Sequence, residues 1–347
     1  MGGNRVNSKE RVYAALRHES ADRLPRYIWV GRGAADNLRA ALGERAADID
    51  ELVGNDVKQT WLSINGEMER PCEEGESFVD EWGIRWHRDG YYNAVIFHPL
   101  ADLEEEEILA YPYPDPEKPQ RYEYLQELLD TYGKDKFIGA DVSGSLFEPA
   151  YHLRGMDNLM IDMASEDPAA DLILDRLCEF TTKVACHAAK MGVDWIWLGD
   201  DMGSQQSMLI SPDMWRTYFK PRMKKIIDAI HEVAPEMPIA YHSCGSIYPI
   251  IGDLAEIGIN VLNPMQESAR GMEHEKIVEE YGDRLTFLCG LDTQTFMRNA
   301  SPEEVKAAMQ QKCTLLASGG GYIAGVSHTI QQDIPVENIL AMIEGLS

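Results

Sequence analysis

The stretch Pro238-Ile-Ala-Tyr-His-Ser-Cys-Gly-Ser246 decides how this chain folds. A short apolar run ends in His242 and Cys244, and small residues then open an apolar helical pattern over residues 247–257. The pattern predicts a buried strand, a tight turn and a helix. Side chains two residues apart on a strand project to the same side, so His242 and Cys244 could bind one ion together.

The His-x-Cys pair permits two interpretations. A thiolate and an imidazole placed side by side are donors that Zn²⁺ prefers. A strand end with a hydrogen-bonded histidine and an inert buried cysteine would have the same sequence. The choice between a metal site and ordinary packing therefore depends on what the rest of the chain brings to the same place.

Units of a strand followed by a helix recur on both sides of this stretch. The other predicted strands cover residues 26–30, 57–64, 137–142, 194–198, 260–262, 285–289 and 321–326. The predicted helices cover residues 8–18, 34–42, 122–132, 146–154, 158–165, 168–191, 212–233, 274–281, 302–316 and 336–343. Such alternation is typical of parallel strands covered by helices. About eight units fit the chain, so the predicted fold class is α/β, a (β/α)8 TIM barrel preceded by lead-in helices.

One domain of residues 1–347 is expected, with an insertion at about residues 71–118. Two alternating segments, residues 78–87 and 93–98, flank Asp89-Gly90 and predict a β-hairpin inserted into the barrel. The proline-rich residues 111–116 are expected to connect this insertion to the barrel. No glycine-rich phosphate-binding motif follows an early strand, which argues against Rossmann and P-loop folds.

Composition limits the classes of partner. The chain has 58 acidic and 32 basic residues, a formal net charge of -26, which disfavours nucleic acid and anionic membranes as partners. No apolar run approaches the roughly 18 residues of a membrane helix, and the first residues have no apolar signal core, so a cytoplasmic protein is expected. The six cysteines are irregularly spaced, which argues against a disulfide framework.

Polar side chains follow most of the predicted strands. Active sites of such barrels lie at the carboxyl ends of the strands, so these side chains are expected to gather at one mouth. They are Asp141, Ser143, Glu148, Asp200, Asp201, Gln205, His242, Cys244, Gln266, Glu267, Cys289, Asp292, Gln294, Ser327 and His328. Taken singly, the aspartates could cap turns and the glutamines could hold loops. A catalytic Zn²⁺ takes three protein ligands, so His242 and Cys244 need one more, and Cys289 and His328 are the candidates.

Short segments along nearly the whole chain resemble the uroporphyrinogen decarboxylase superfamily, in its branch of cobalamin-dependent methyltransferases. They are residues 11–25, Asp80-Glu-Trp-Gly83, residues 147–155, Gly199-Asp-Asp-Met-Gly203, His242-Ser-Cys-Gly245, Gly290-Leu-Asp-Thr-Gln294 and residues 320–328. The resemblance implies a zinc ion held by a His-x-Cys pair, which falls on His242 and Cys244, and by a later cysteine. His328 stands in place of that cysteine, and Cys289 is the alternative third ligand. Glu148 or Glu267 could close the site when substrate is absent.

The resemblance implies a zinc-dependent methyltransferase that moves a methyl group between a small methylated substrate and the cobalt of cobalamin carried by a corrinoid protein. A methoxylated aromatic donor is the expected substrate, and the direction of transfer stays open. Asp200, Asp201 and Glu148 are the expected catalytic residues, as proton donors to the leaving oxygen. The expected substrate-binding residues are Gln205, Gln266, Asp292 and Gln294. Four aromatic residues of the insertion could also wall the substrate, or only pack: Trp82, Trp86, Tyr91 and Tyr92.

Two other functions stay open at this stage. A decarboxylase of the same superfamily would match the late histidine at His328, but residues 26–32 lack its arginine-rich loop. Acidic strand ends would also repel the four carboxylates of a porphyrinogen. The second alternative is a metal-free barrel that acts as a binding protein. Metal content distinguishes this alternative from the methyltransferase.

Overall fold

Parallel strands form the sheet that carries the site. A computed structural model describes residues 6–68 and 70–346; residues 1–5, 69 and 347 of the expected single domain lie outside the described residues. In chain order the strands are β1 (Val57–Trp61), β2 (Ser77–Val79), β3 (Arg85–Asp89), β4 (Tyr92–Phe97), β5 (Phe137–Asp141), β6 (Trp195–Gly199), β7 (Ile239–His242), β8 (Val261–Asn263), β9 (Thr286–Leu291) and β10 (Tyr322–Val326). Within the described residues, seven of them pair in parallel in the order β1-β5-β6-β7-β8-β9-β10.

Helices connect these strands and cover the outside of the sheet. In chain order they are α1 (Ser8–Leu16), α2 (Arg32–Leu42), α3 (Ile49–Val53), α4 (Glu105–Ala110), α5 (Glu123–Tyr132), α6 (Phe147–Arg154), α7 (Met156–Ser165), α8 (Pro168–Met191), α9 (Pro212–Tyr218), α10 (Lys220–Val233), α11 (Tyr248–Glu256), α12 (His274–Tyr281), α13 (Phe296–Asn299), α14 (Pro302–Leu316) and α15 (Val336–Gly345). Local sequence sets their ends: Asp167 caps α8 through the Ala169 N–H, and Gly192 ends it in the left-handed region. None of the helices in the described ranges has the length and apolar character to cross a membrane.

The predicted helix over residues 212–233 is wrong in one respect, because it is divided at Phe219 into α9 and α10. Pro221 explains the division. Its nitrogen carries no hydrogen to donate to the carbonyl of Thr217, and its ring would clash with that carbonyl in a continuous helix. Both helices still contribute buried residues to the outer core.

Residues 26–30 lie between β10 and β1 and complete the barrel-like α/β fold. The Tyr27 N–H donates to the Ala324 carbonyl at 2.9 Å, and the Asp56 N–H donates to the Arg26 carbonyl at 2.8 Å. The predicted strand is present only as isolated bridges. The Asn55 side chain is the reason, since its amide bonds both the N–H and the carbonyl of Ile28 at 2.7 and 3.0 Å, where a neighbouring strand would otherwise pair.

Alternate residues of each strand face the barrel interior. This interior core is Val57, Phe137, Trp195, Trp197, Ala240, Val261, Leu288 and Ile323, closed at one end by Val12 and Ala15 of α1. The residues between them face the helices and form a second, larger core. The period of two along each strand therefore decides which side chains can reach the interior and which pack outside it.

The predicted hairpin is confirmed and belongs to a three-stranded antiparallel sheet, β2-β3-β4. Gly90, with φ 70°, begins the two-residue turn between β3 and β4. The predicted continuous segment of residues 78–87 is wrong, because the chain turns around Asp80. The Asp80 carboxylate accepts the N–H groups of Trp82 and Ile84 at 2.8 and 2.9 Å and the indole N–H of Trp86 at 2.8 Å.

A buried carboxylate joins the lead-in segment to β1. The Asp56 side chain is fully buried and accepts the two Nη groups of Arg23 at 2.7 and 2.9 Å. It also accepts the Arg11 Nη1 at 3.2 Å and the Arg26 N–H at 2.9 Å. Loss of this carboxylate would leave two guanidinium groups without their shared partner.

We expect Asp56→Ala to lower the free energy of unfolding by about 3–5 kcal/mol, because it removes one partner of a buried ion pair. Urea unfolding followed by circular dichroism measures the change. Asp36→Ala is the matched control, since Asp36 and Arg39 form an exposed pair, and it should cost no more than about 1 kcal/mol. Equal effects of the two variants would contradict the assignment.

Candidate active site

Three side chains with soft donor atoms meet at the carboxyl ends of β7 and β10. His242 is the last residue of β7, Cys244 follows two residues later, and His328 lies two residues beyond β10. Their donor atoms all lie within 4.8 Å of one another. The Cys244 Sγ is 3.5 Å from the His242 Nε2. One ion could therefore contact all three residues.

Glycines shape the turn that presents Cys244. Gly245 has φ 82°, and a Cβ on it would lie 2.3 Å from the Gly203 carbonyl, so a side chain has no space there. The Ser246 N–H donates to the Ser204 carbonyl at 2.8 Å, and the Gly245 N–H donates to the Gln266 Oε1 at 2.8 Å. The loops after β6, β7 and β8 thus hold one another at the mouth.

Asn263 fixes the orientation of the His242 ring. The Asn263 Nδ2 donates to the Leu288 carbonyl at 2.8 Å, which leaves its Oδ1 facing the His242 Nδ1 at 2.5 Å. Because an amide oxygen can only accept, the Nδ1 carries the ring hydrogen. In the neutral ring this leaves the Nε2 as the nitrogen with a free lone pair, and the Nε2 faces Cys244, as a metal-binding histidine requires.

The protonation states of the other two donors follow from burial. Burial raises the pKa of the Cys244 thiol, and the nearby Asp201 and Glu148 raise it further. Burial lowers the pKa of His328, with a contribution from His242, so its imidazole is neutral at pH 7. Two imidazoles and one ionisable thiol are a donor set that fits Zn²⁺ and leaves one coordination position for a substrate.

Of the two candidate third ligands, the structure brings His328 to the pair and does not bring Cys289. Leu288 of β9 faces the barrel interior, so Cys289 faces the opposite side of the strand. Its thiol packs in the outer core, where burial raises its pKa. Cys289 therefore lies with the helices, away from the mouth.

The three predicted catalytic acids have different surroundings. Asp200 is fully buried and accepts the N–H groups of Leu146 and Glu148 at 3.0 Å each, so it caps α6. Burial raises the pKa of Asp200 to about 7. Asp201 accepts the Cys244 N–H at 2.8 Å, with its Oδ1 3.5 Å from the His242 Nε2. Asp201 and Glu148 line the cavity described next, whereas Asp200 holds the helix that carries Glu148.

A cavity of about 600 Å³ opens beside His242 and His328. Its aromatic lining residues are Tyr27, Trp29, Trp61, Tyr92, Tyr124 and Trp197. Its polar and charged lining residues include Arg32, Asp50, Lys58, Gln59, Asp141, Ser143, Glu148, Asp201 and Thr329. Such a cavity has the size and the aromatic walls of a small-molecule site. Of the insertion aromatics, Tyr92 lines it, Tyr91 is exposed, and Trp82 and Trp86 are buried elsewhere.

The four predicted substrate-binding residues do not line this cavity. Asp292 accepts the N–H groups of Thr295 and Phe296 and so caps α13. Gln205 donates to the Gln294 Oε1 at 3.3 Å, and Gln266 holds the turn after β7. The predicted closing residue Glu267 pairs with Lys312 at 2.5 Å. These side chains hold loops, which was the other explanation that the sequence permitted.

Sequence reasoning missed Gln59, Tyr27 and Trp29 as lining residues. Gln59 lies two residues after Val57, which faces the barrel interior. A polar side chain at an interior position of a strand is a signal of function that the alternation contained. Tyr27 and Trp29 are likewise two residues apart, within residues 26–30, the segment between β10 and β1.

A family model described as "Uroporphyrinogen decarboxylase (URO-D)" matches residues 87–346. The chain belongs to the uroporphyrinogen decarboxylase family. The predicted family resemblance is confirmed. The relatives of this chain include both methyltransferases and decarboxylases.

A methylcobamide:CoM methyltransferase MtbA from Methanosarcina mazei is 24% identical to this chain over 354 residues. The match covers 97% of this chain and 96% of the relative. A uroporphyrinogen decarboxylase from Pelodictyon phaeoclathratiforme is 25% identical over 190 residues, covering 52% of this chain and 50% of its own. A solved structure of a methyltransferase from Methanosarcina mazei superposes with a TM-score of 0.71 at 19% identity, covering 98% of both chains. At that identity the superposition shows the shared fold alone.

We expect His242→Ala, Cys244→Ser and His328→Ala each to lose Zn²⁺ on dialysis, whereas the wild type retains about one ion per chain, because each variant removes one of three donors. Elemental analysis measures the content. Cys289→Ala is the matched control and should retain the ion, since its thiol faces the outer core. The donor set would be contradicted if Cys289→Ala lost the ion while the other three variants retained it.

Zn²⁺ binding should tighten as the pH rises. The Cys244 thiol, whose pKa is raised by burial, is protonated at neutral pH in the metal-free protein, and binding as a thiolate releases that proton. Below the thiol pKa, the affinity should therefore rise about tenfold per pH unit. Competition with a chromophoric chelator at several pH values measures it. An affinity that does not change with pH would show that no thiol proton is displaced.

Proposed function

We propose that this chain is a corrinoid-dependent methyltransferase that takes a methyl group from a small methyl ether, such as a methoxylated aromatic, and passes it to the cobalt of a separate corrinoid protein. Such an O-demethylase activity would use Zn²⁺. The observation that carries the proposal is the group of His242, Cys244 and His328 opening into an aromatic-lined cavity at the barrel mouth. A relative named as a methylcobamide:CoM methyltransferase, matched over nearly its full length, supports the corrinoid chemistry.

The donor set favours an oxygen leaving group over a thiol acceptor. The family pattern of one histidine and two cysteines would bring two thiolates, whereas His328 makes one of them a neutral imidazole. The set of His242, Cys244 and His328 therefore carries one negative charge less. Fewer thiolates leave more positive charge to polarise an ether oxygen and make a bound thiol less nucleophilic.

His242, Cys244 and His328 would hold the ion, and a bound Zn²⁺ would supply Lewis-acid polarisation of the leaving oxygen. The C–O bond of the ether breaks as its methyl group passes to the cobalt, and the oxygen leaves with the bonding electrons. Glu148, which is buried and lines the cavity, would donate the proton that this oxygen takes up. Asp200 acts as a positioning residue, since it caps the helix that carries Glu148.

The decarboxylase alternative is less well supported by the cavity. Four acidic residues line it, namely Asp50, Asp141, Glu148 and Asp201, against two basic ones, Arg32 and Lys58. Lys58 also forms an ion pair with Asp50 at 2.6 Å, and this pair neutralises the charge of Lys58. A porphyrinogen with four carboxylates would therefore be repelled.

We expect the zinc-loaded protein to convert cob(I)alamin to methylcobalamin with at least one donor from a series of neutral, cationic and anionic methoxybenzenes. The cobalamin absorption spectrum follows the reaction. Cys244→Ser and His328→Ala should lower the rate by about a hundredfold or more, because the leaving oxygen is no longer polarised. Cys289→Ala should keep the wild-type rate, which separates ligand loss from a general effect of substitution.

Three outcomes would contradict the proposal. Methyl transfer from methylcobalamin to a thiol, with no transfer from any ether, would reverse the direction. Turnover of a porphyrinogen without cobalamin would identify a decarboxylase. A chain that neither retains nor takes up Zn²⁺ would favour a metal-free binding protein.

A further inference from the structure

A further buried carboxylate that lines the same cavity has no part in the proposed reaction. Asp141 ends β5, is 3% exposed and lines the cavity. Its Oδ2 accepts the Gln59 Nε2 at 2.7 Å, and its Oδ1 accepts the N–H and hydroxyl of Ser143 at 2.9 and 2.5 Å. These three donors hold the carboxylate in one orientation.

The sequence makes room for this arrangement. The Trp195 indole N–H donates to the Gln59 Oε1 at 2.9 Å, which turns the Gln59 amide nitrogen toward Asp141. A Cβ on Gly139 would lie 2.2 Å from the Trp195 Nε1 and 2.6 Å from the Gln59 Oε1. Only a glycine at this interior position lets the two side chains meet.

The carboxylate has neutral donors around it and lacks a cationic partner. Among residues 6–68 and 70–346, no lysine or arginine forms an ion pair with Asp141. A buried charge is costly unless a countercharge accompanies it. Burial raises the pKa of Asp141 to about 6, so the group is still mainly ionised at pH 7.5. The countercharge can therefore come from a ligand in the cavity.

Aromatic rings stand beside this carboxylate. Tyr27, Trp29 and Trp197 pack with ring centroids 5.6 to 6.2 Å apart, and all three line the cavity. Asp141 and Trp197 are paired across β5 and β6 in the sheet register, which places the carboxylate beside this group of rings. Aromatic faces combined with a carboxylate are the surroundings that organic cations prefer.

We propose that Asp141 and the aromatic wall of Tyr27, Trp29 and Trp197 bind a protonated amine of the substrate. This inference rests on the proposed function and narrows its substrate class to small methyl ethers that carry an ammonium group. In this proposal the substrate is held by two groups of residues. The group of His242, Cys244 and His328 would receive the ether oxygen, and Asp141 would pair with the ammonium group.

Three probes that share the meta-methoxyphenethyl group and carry a cationic, a neutral or an anionic head group test this inference: meta-methoxyphenethylamine, meta-methoxyphenethyl alcohol and meta-methoxyphenylpropionate. Isothermal titration of the zinc-loaded full chain, without cobalamin, should give an affinity for the amine about tenfold higher than for the alcohol and higher still than for the carboxylate. Asp141→Asn should reduce the affinity for the amine about tenfold and change that for the alcohol less than about twofold. The exposed Asp36→Asn changes the net charge equally and should leave all three affinities unchanged.

Equal or tighter binding of the carboxylate by the wild-type chain would overturn the inference without any variant, so a poorly folded Asp141→Asn would not leave it undecided. A preference for the amine that persists in Asp141→Asn would overturn it as well. The two proposals fail separately. Amine binding without methyl transfer would reject the proposed function, whereas methyl transfer from the alcohol and carboxylate probes but not from the amine would reject the inference alone.

Discussion

The hydrogen bond between His242 and Asn263 is the contact on which the candidate site depends. The two residues are paired across β7 and β8 in the sheet register, and Asn263 also reaches the Leu288 carbonyl of β9. One fully buried amide therefore joins three strands and sets the ring tautomer. Because the sheet fixes the amide and the amide fixes the ring, the direction of the His242 lone pair is a property of the barrel rather than of a loop.

Two adjacent aspartates at the barrel mouth have different roles, because one is fully buried and the other lines the cavity. Asp200 points inward and satisfies the first N–H groups of α6, while Asp201 points to the cavity and holds the Cys244 backbone. The helix N-terminus stabilises the buried acid, and the acid in turn fixes the helix. Glu148 reaches the cavity wall because this helix begins where it does. The pair Asp-Asp directly after β6 thus connects the candidate metal ligands to the proposed proton donor.

The alternation of strands and helices was sufficient to predict the barrel-like fold and the strand ends that meet. It could not predict that Asn55 would replace a strand partner for Ile28, since a side chain that bonds backbone groups leaves no periodic signal. The choice between Cys289 and His328 depends on which alternate residues of β9 face the barrel interior. Deciding this requires knowing which way one residue of the strand points. Leu288 supplies that direction only in the folded structure. The sequence also could not tell whether Asp292 and Gln266 bind substrate or hold loops, because the same residue types do both.

The candidate metal ligands and the proposed ammonium-binding residues belong to different strands. The ligand group follows β7 and β10, whereas Gln59 and Asp141 belong to β1 and β5, with the Trp197 ring stacked on His242 between them at 6.4 Å. On the proposal for Asp141, substitutions at Gln59, Gly139 or Asp141 would therefore change which substituent is accepted without removing either histidine. The reverse also holds, because a cysteine in place of His328 would alter the charge of the donor set and leave Asp141 intact. On these proposals, a family with one barrel can vary its chemistry and its substrates independently, since separate strand ends control each.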